Sequence, residues 1–468
     1  MKNFLKMIKQ TTQKIPRKFQ VAILVASVLL LALVLVLVIT FIRRRGNNET
    51  ITLTYAHINL SNSSGYAIER RMIQSFMDAH PHIRIEIDQN ISIPWTQSLT
   101  TAANHNRMPD VFMLEDIGLK AANGWLLDIT SHVWTDIDFV SDLSGVVQEA
   151  MRIGSIMYAV PFGQNIHGYF VNRDLLRDMG INPPSFGVSA NQFLDIVRAA
   201  TDLSRPAIGL NHAFSFAEWL PAALNPSLGF FAFNGMEFAL NSHEMLESIS
   251  IAAELHNGGY ALEGLQGTGN FPTGNALEAF KNGQMAFFYA GTWLADVMIG
   301  QLEFDWGFIS IPGGRPIVTL ETIGIYSNTS HPYEAYLFAR WMGHSTEGNL
   351  RRLQYASEIG ITPNILPVTQ NAEVLEALLQ INPIPELSEI YASLGRALID
   401  GQGILPGYTQ ARFTAPTGVE VYGSQHTNID VDRLIRYSIE GRVYFPDHSH
   451  IAEEVARHQL KSALAQFR

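Results

Sequence analysis

The sequence contains no cysteine. This absence excludes disulfides, Cys-ligated zinc, iron–sulfur clusters, thiol catalysis and attachment through a thioether-linked lipid. Lysine is scarce too, because only Lys120, Lys281 and Lys461 occur after residue 45. The first 45 residues carry nine Lys or Arg and no acid, so the remainder, with 23 basic and 43 acidic side chains, has a formal charge of −20. So acidic a body is a poor partner for an anionic bilayer surface, and we expect no nucleic-acid partner.

Motifs that mark familiar enzymes are missing as well. The sequence has neither a G-x-S-x-G motif nor a P-loop. It therefore gives no support for serine hydrolysis or nucleotide binding through these motifs. Two histidine pairs, His80 with His82 and His448 with His450, project alike only on a strand, and we interpret them as surface residues. We therefore expect no enzyme activity, no cofactor and no metal site.

The one long apolar run lies near the N-terminus, at residues 21–42. Its 22 residues would give a helix of roughly 33 Å, enough to span a bilayer. A cleaved secretory signal is the alternative, but here the apolar residues run straight into Arg43–Arg45 without a small-x-small cleavage site. Six basic residues precede the run and three follow it, which favours a cytoplasmic head at 1–20. We predict a single-pass anchor in the lipid bilayer, a tether at 43–50 and an extracytoplasmic C-terminal domain.

The part of the chain after residue 50 has the composition and patterning of an α/β protein. Apolar residues make up 47% of the chain and charged residues 16%, a balance that can bury a large core. Residues 51–57 and 83–87 alternate like strands, with a helical pattern to about Ala79 between them. Strand, helix and strand within 40 residues indicate a βαβ unit and a parallel sheet. The stretch 110–114 is predicted to be the next buried strand.

Five blocks of sequence between residues 51 and about 370 stand out. They are Met108–Leu114, Tyr158–Phe162, Tyr169–Leu175 with Gly180–Pro184, Phe280–Ala286 with Gly291–Trp293, and Pro332–Met342 with Gly360–Val368. Each block uses common residue types. Taken together, in this order and at this spacing, they resemble the extracellular solute-binding proteins of ATP-driven importers, family 1, which includes maltose- and oligosaccharide-binding proteins.

The resemblance implies a fold and its divisions. The expected fold is the type II periplasmic-binding-protein fold, an α/β structure of two lobes with a hinge and an interlobe cleft that closes on the ligand. The first lobe is expected at 51–162 and 286–330, and the second at 163–285 and 331–468.

The resemblance also implies a function. A membrane-anchored receptor would capture a small solute, above all an oligosaccharide or related polyol, and deliver it to the permease of an importer. A ligand-sensing co-receptor of a membrane signalling partner is the alternative, which the permanent membrane helix favours. A surface carbohydrate-processing enzyme is a third hypothesis, which turnover of a glycan by the purified chain would support.

A sugar site needs aromatic platforms, carboxylates and amides at the ends of loops. Trp293 follows Gly291 in a G-x-W block that lines the cleft in the family, so it is either a stacking platform or a packed residue. Glu115 and Asp116 come directly after a buried strand, where they could contact ligand or cap the next helix. Many family members have glycines where this chain has the segment Glu321–Gly324. A carboxylate there would suit a polyol or a cation, or would pair with an arginine.

Six further ligand-binding candidates lie in two places. Two flank the loop predicted between the first strand and the first helix, and four surround the first crossover between lobes. They are Asn59, Tyr66, Tyr158, Phe162, Gln164 and Asn165. The first two would line the cleft or be solvated loop residues, and the other four would face the cleft or brace the hinge. Trp95, Trp219 and Arg412 are additional candidates, although a buried tryptophan is more often part of a core.

Overall fold

A computed structural model describes residues 50–60, 66–266, 271, 274–363, 365–415 and 429–467. The predicted anchor at 21–42, the basic head before it and residues 43–49 of the tether lie outside this part of the chain. Within it, no helix has the length and apolar character needed to cross a bilayer.

Most of the strands join one mixed sheet. Its order is β2-β1-β3-β10-β6-β8-β7, with β11 beside β10 and β9 beside β6, while β4 and β5 form a separate pair. The strands are β1 Ile51–Ala56, β2 Ile83–Ile87, β3 Val111–Leu114, β4 Arg152–Ile153, β5 Ile156–Met157, β6 Ala159–Asn172, β7 Ile208–Leu210, β8 Met285–Gly291, β9 Trp306–Ile309, β10 Ile317–Ile325 and β11 Leu398–Ile399.

Helices dominate the last third of the described chain. The α-helices are α1 Tyr66–Ala79, α2 Trp95–Asn104, α3 Ile117–Ala122, α4 Thr130–Val133, α5 Ile137–Asp142, α6 Gly145–Ala150, α7 Arg173–Asp178, α8 Ala190–Ala199, α9 Ser215–Leu224, α10 His243–Asn257, α11 Ala276–Lys281, α12 Ala295–Met298, α13 Pro332–Met342, α14 Thr346–Ile359, α15 Ala372–Ile381, α16 Leu387–Ser393, α17 Tyr408–Phe413, α18 Val431–Ile439 and α19 Ser449–Ala465. Short 3-10 turns occur at Ile58–Leu60, Phe230–Ala232, Leu262–Leu265, Thr292–Leu294, Leu394–Arg396 and Phe445–Asp447.

The predicted strand, helix and strand are present as β1, α1 and β2, with β2 beside β1 in the sheet, and β1 pairs in parallel with β3. In the sequence block at 169–175, the first four residues end β6 and the last three begin α7. Strand β6 has 14 residues and is buried along nearly its whole length. Its first half pairs antiparallel with β10 and its second half with β8 and β9. One strand therefore connects the two ends of the sheet.

Two helices that follow β10 pack on α1. Trp341 of α13 donates its indole N–H to the carbonyl of Met72 in α1, at 3.1 Å. Arg352 of α14 is paired with Glu69, also in α1. A large hydrophobic cluster joins residues 169–317 with 398–460, and this cluster includes Phe287 of β8 and Ile309 of β9.

A buried charge cluster fixes α13 against the segment before α5. The carboxylate of Asp136 accepts hydrogen bonds from Nε of Arg340 at 2.7 Å, Oη of Tyr336 at 2.8 Å and Nε2 of His344 at 2.9 Å. Burial alone would raise the pKa of Asp136, but the bonds to His344 and Arg340 outweigh burial and hold it well below its usual range. The ionised form is therefore stabilised in the folded state.

We expect Asp136→Ala to lower the free energy of unfolding by about 3 kcal/mol at pH 7, because it takes the buried acceptor away from Tyr336 and His344 and leaves Arg340 with one carboxylate partner fewer. Since the folded-state pKa of Asp136 is depressed, its contribution is present at neutral pH and fades as the pH falls below about 4. Urea titrations of the purified full chain at pH 7 and pH 3.5 measure both effects. Glu149→Ala, which breaks an exposed pair with Arg152, is the control and should change stability by less than about 0.5 kcal/mol.

Candidate functional site

A cavity of about 650 Å³ lies where β3, β10 and the segment after β11 meet. Its size falls in the range typical of small-molecule sites. The residues that line it are Thr96, Met113, Leu114, Glu115, Asp116, Leu119, Lys120, His167, Trp293, Thr319, Leu320, Glu321, Asp400, Gln402, Gly403, Ile404 and Thr409. Four of the ten predicted ligand-binding residues are among them: Glu115, Asp116, Trp293 and Glu321.

One wall of the cavity comes from β10 and its neighbours. Thr319 and Glu321 are two residues apart on this strand, so their side chains share a face. Beside them on β6, Nε2 of His167 lies 2.7 Å from Oγ1 of Thr319. Asp400 directly follows β11 and is held next to β10 by a bond from its backbone N–H to the carbonyl of Val318, at 2.9 Å.

Trp293 stands at the end of β8, in the turn Thr292–Leu294. Its side chain is 40% exposed and lies edge-on to the ring of His167, with 5.1 Å between ring centroids. The indole covers Gly291, where an added Cβ would collide with the six-membered part of the ring. The glycine of the G-x-W block thus allows the indole to fold back toward the cavity. Of the two sequence interpretations, the exposed platform agrees with this geometry.

Glu115 and Asp116 leave β3 toward the cavity. Oε2 of Glu115 accepts a hydrogen bond from Oγ1 of Thr96 at 2.6 Å. Asp116 has a left-handed backbone conformation, with φ of 60°, and its Oδ1 caps α3 by accepting from the N–H of Leu119 at 2.9 Å. Its Oδ2 accepts from Nε2 of Gln410 at 3.1 Å. Asp116 therefore caps the helix, as the alternative interpretation proposed, and lines the cavity as well.

Burial shifts the pKa of three groups at the site. It raises the pKa of Glu321 to about 7, helped by the charge of Glu69 and opposed by a hydrogen bond from Asn165 and by Arg352. It lowers the pKa of His167 to about 4, with Arg412 acting in the same direction. Burial also raises the pKa of Asp400, against the charge of Arg412. At neutral pH the imidazole is thus uncharged, while Glu321 is close to its titration midpoint.

The remaining predicted residues have other surroundings. Asn165 is buried behind the cavity, where its Nδ2 donates to Oε1 of Glu321 at 3.1 Å. Nε2 of Gln164 donates to the carbonyl of Pro367 at 2.8 Å. The ring of Phe162 lies 4.8 Å from the guanidinium of Arg352, and the ring of Tyr66 lies 4.6 Å from that of Arg70.

Tyr158 is not among the described residues that line the cavity. Tyr158 is half-buried next to Asp128, and burial raises the pKa of its hydroxyl. The side chain of Asn59 lies outside the described part of the chain. The additional candidates Trp95, Trp219 and Arg412 are all buried, and Nε of Arg412 donates to Asp432 at 2.9 Å.

Sequence reasoning missed His167, Thr319, Asp400 and Lys120. Side chains two positions apart on a strand point to the same face. This rule could have indicated Thr319, two positions before Glu321, and His167, two positions after Asn165. Nothing in the sequence marks Asp400, because it reaches the cavity only through the pairing of β11 with β10.

Comparison with known proteins places this chain in a class. It belongs to the family of bacterial extracellular solute-binding proteins, whose sequence profile matches residues 71–377. This confirms the resemblance found in the sequence blocks, and it confirms the prediction of a binding protein rather than an enzyme. No curated protein matches the chain significantly.

Several solved structures share the fold. An ABC substrate-binding protein from Listeria monocytogenes in complex with cycloalternan has a TM-score of 0.64 at 19% identity, covering 89% of this chain and 99% of that one. The cyclic alpha-maltosyl-1,6-maltose binding protein from Arthrobacter globiformis has a TM-score of 0.63 at 16% identity, covering 88% and 99%. The GacH receptor of Streptomyces glaucescens, studied with acarbose, has a TM-score of 0.61 at 16% identity, again covering 88% and 99%. At these identities the likeness shows the α/β solute-binding fold.

We expect Gly291→Ala to weaken ligand binding about as much as loss of the indole itself, because the new methyl group would push Trp293 off the cavity wall. Isothermal titration of the purified full chain with a ligand found by screening measures the effect. Gly187→Ala is the matched control, since a Cβ at Gly187 meets no atom within 4 Å. Unchanged affinity in Gly291→Ala would show that the position of the indole is not part of the binding site.

Proposed function

We propose that this chain is a receptor that captures a sugar, most simply an oligosaccharide or related polyol, outside the cytoplasmic membrane and delivers it to the permease of an ATP-driven importer. One observation carries the proposal: the partly exposed indole of Trp293 lines a cavity whose wall also contains four carboxyl groups, three threonines and an imidazole, beside several aliphatic side chains. A sugar ring offers an apolar C–H face to the indole and hydroxyl donors to the carboxylates. The reported ligands of the structural neighbours, cycloalternan and acarbose, support this class of ligand.

We assign roles to the site residues on this basis. Trp293 stacks on the sugar, and the carboxylates of Glu115, Asp116 and Glu321 accept from its hydroxyl groups. Asn165 positions Glu321 through the bond to Oε1. Asn59 and Tyr66 contribute from the loop after β1, and the crossover residues Tyr158, Phe162 and Gln164 support the hinge.

The hinge would lie where three segments run side by side. Gln164 of β6 is paired with Leu320 of β10 on one side and with Leu366 on the other. Backbone bonds of 2.8 and 2.9 Å join Gln164 and Leu366 in both directions. Gly163 permits this close approach, because a side chain there would collide with Ile365. Small backbone rotations in these three segments would close two lobes around the cavity. We place α13 and α14 in the first lobe, unlike the division expected from sequence, because they pack on α1. We place β8 and β9 in the second lobe because they belong to the large hydrophobic cluster.

We expect Trp293→Ala to lower sugar affinity about tenfold or more while leaving the fold intact, because the side chain is partly exposed and packs against the cavity. A thermal-shift screen of the full chain against sugars, polyols, polyamines and peptides identifies the probe. A ligand at 100 times its Kd should stabilise the protein by about 2.7 kcal/mol. Trp134→Ala removes an exposed indole elsewhere and is the control. A polyamine or peptide that binds where no sugar or polyol does would contradict the proposed ligand class.

The apolar run at 21–42 would anchor the receptor and keep it near its permease. We expect a chain that begins at residue 46 and is exported with a cleavable signal to be released from the membrane, whereas the full chain stays in the membrane fraction after a carbonate wash. Release of the full chain would contradict the anchor.

Sugar uptake by cells that lack the protein distinguishes delivery from sensing. Loss of a delivery protein would lower the initial rate of uptake, whereas loss of a sensor would change gene expression instead.

A further inference from the structure

The cavity lining contains more acidic groups than basic ones. Its wall carries the carboxyl groups of Glu115, Asp116, Glu321 and Asp400, against the ammonium group of Lys120. The charges of Asp116 and Glu115 act on Lys120 and partly offset the lowering of its pKa by burial. Lys120 therefore balances part of the charge at the end of β3. The two carboxyl groups on and beside β10 have no basic group of the described lining acting on them in the same way, and burial raises the pKa of both.

The arginines nearest to Glu321 and Asp400 are engaged elsewhere. Arg352, whose charge acts on Glu321, is paired with Glu69. Arg412, whose charge acts on Asp400, donates to Asp432 at 2.9 Å and lies 3.6 Å from Glu218. Both guanidinium groups are thus paired with carboxylates other than Glu321 and Asp400.

Each of these two carboxylates has one oxygen bonded within the protein and one directed to other partners. Oε1 of Glu321 accepts from Nδ2 of Asn165 at 3.1 Å, and Oδ1 of Asp400 accepts from the N–H of Gln402 at 3.1 Å. Within the described residues, no donor is bonded to Oε2 of Glu321 or Oδ2 of Asp400. Asp400 is only 6% exposed and yet lines the cavity. Because both residues line the cavity, a cationic group of a ligand could bond these second oxygens there.

We propose that the ligand is an amino sugar, a saccharide or cyclitol whose protonated amine binds between Glu321 and Asp400 while its ring stacks on Trp293. The proposal rests on the assignment of this cavity as the sugar site. An ammonium group has three N–H donors and no acceptor, so it can bond the second oxygen of both carboxylates and the hydroxyl of Thr319 between them. Charge-assisted bonds of this kind are about twice as strong as neutral ones. A hydroxyl group at the same position would donate once and leave one carboxylate unsatisfied.

The proposal has a consequence for pH dependence. The pKa of Glu321 lies at about 7, so an ammonium ligand would have to displace its proton at or below this pH. Affinity for an amine should therefore rise between pH 5.5 and 8, as long as the amine itself stays protonated. A neutral sugar can bond either form of the carboxyl group and should show little change. The titratable and charged groups that face Glu321 or share its cavity are Glu69, Arg352, Glu115, Asp116, Lys120, His167 and Asp400.

The test compares sugars that differ only in one hydroxyl or amine. Glucose with glucosamine, galactose with galactosamine, and cellobiose with the β1,4-linked glucosamine disaccharide are titrated calorimetrically into the full chain at pH 7.5. We expect at least one aminated sugar to bind about tenfold or more tightly than the matched neutral sugar. In Glu321→Gln, which keeps the shape but removes the charge, this ratio should fall to within about threefold, and its pH dependence should disappear. Glu149→Gln, on the exposed surface, is the control and should keep the ratio.

The outcomes separate this inference from the proposed function. Neutral sugars that bind as tightly as their aminated twins would overturn the amino-sugar assignment and leave a sugar receptor in place. A wild-type preference that does not change between pH 5.5 and 8, or that survives Glu321→Gln, would also overturn it. Failure of every saccharide, aminated or neutral, would contradict both the inference and the proposed function.

Discussion

The pairing of β6 with β10 is the constraint on which the rest of the structure depends. It runs antiparallel from Ile317 opposite His167 to Gly324 opposite Ala159, with a shift of register between Glu321 and Thr322. Because side chains alternate along a strand, a slip of one residue would turn Thr319 and Glu321 away from the cavity. The same ladder brings β3 and β11 to β10, and with them Glu115 and Asp400. The cavity wall is therefore a product of strand register rather than of any single motif.

The distribution of arginine explains why this wall is acidic. Buried guanidinium groups stabilise a fold when carboxylates and aromatic rings surround them, and Arg412 has both: Asp432 at 2.9 Å and the ring of Phe231 at 3.8 Å. Arg352 pairs with Glu69 and lies over the ring of Phe162 in the same way. Each arginine is thus saturated by its own cluster. The carboxylates that face the cavity feel these charges only at a distance, which raises the cost of keeping them ionised without a ligand.

The sequence predicts this structure well where local patterns decide it. The helix at Tyr66–Ala79 and the strand at Ile83–Ile87 follow from periodicity and from the proline after His80, and Ser189 caps its helix with a complete capping box. The site is only partly predictable. Trp293 and the carboxylates after β3 belong to contiguous blocks, whereas Asp400 and His167 meet across more than 200 residues of chain, through pairings that no local pattern encodes. The crossover residues Phe162 and Gln164 pack on Arg352 and Pro367 because that strand is buried on both sides.

The scarcity of lysine has a further physical meaning at the cavity. Of the three lysines after residue 45, Lys281 is bonded to Gln301 and Lys461 is exposed, so Lys120 alone supplies an ammonium group to the lining. An anionic ligand would face four acidic groups in a partly buried space, where charge repulsion is much less screened than in water. The overall charge of −20 after residue 45 would add to that repulsion at longer range. In the proposed receptor, both effects would disfavour anions, and the indole of Trp293 and the hydroxyl of Thr319 would discriminate among neutral and cationic ligands by shape.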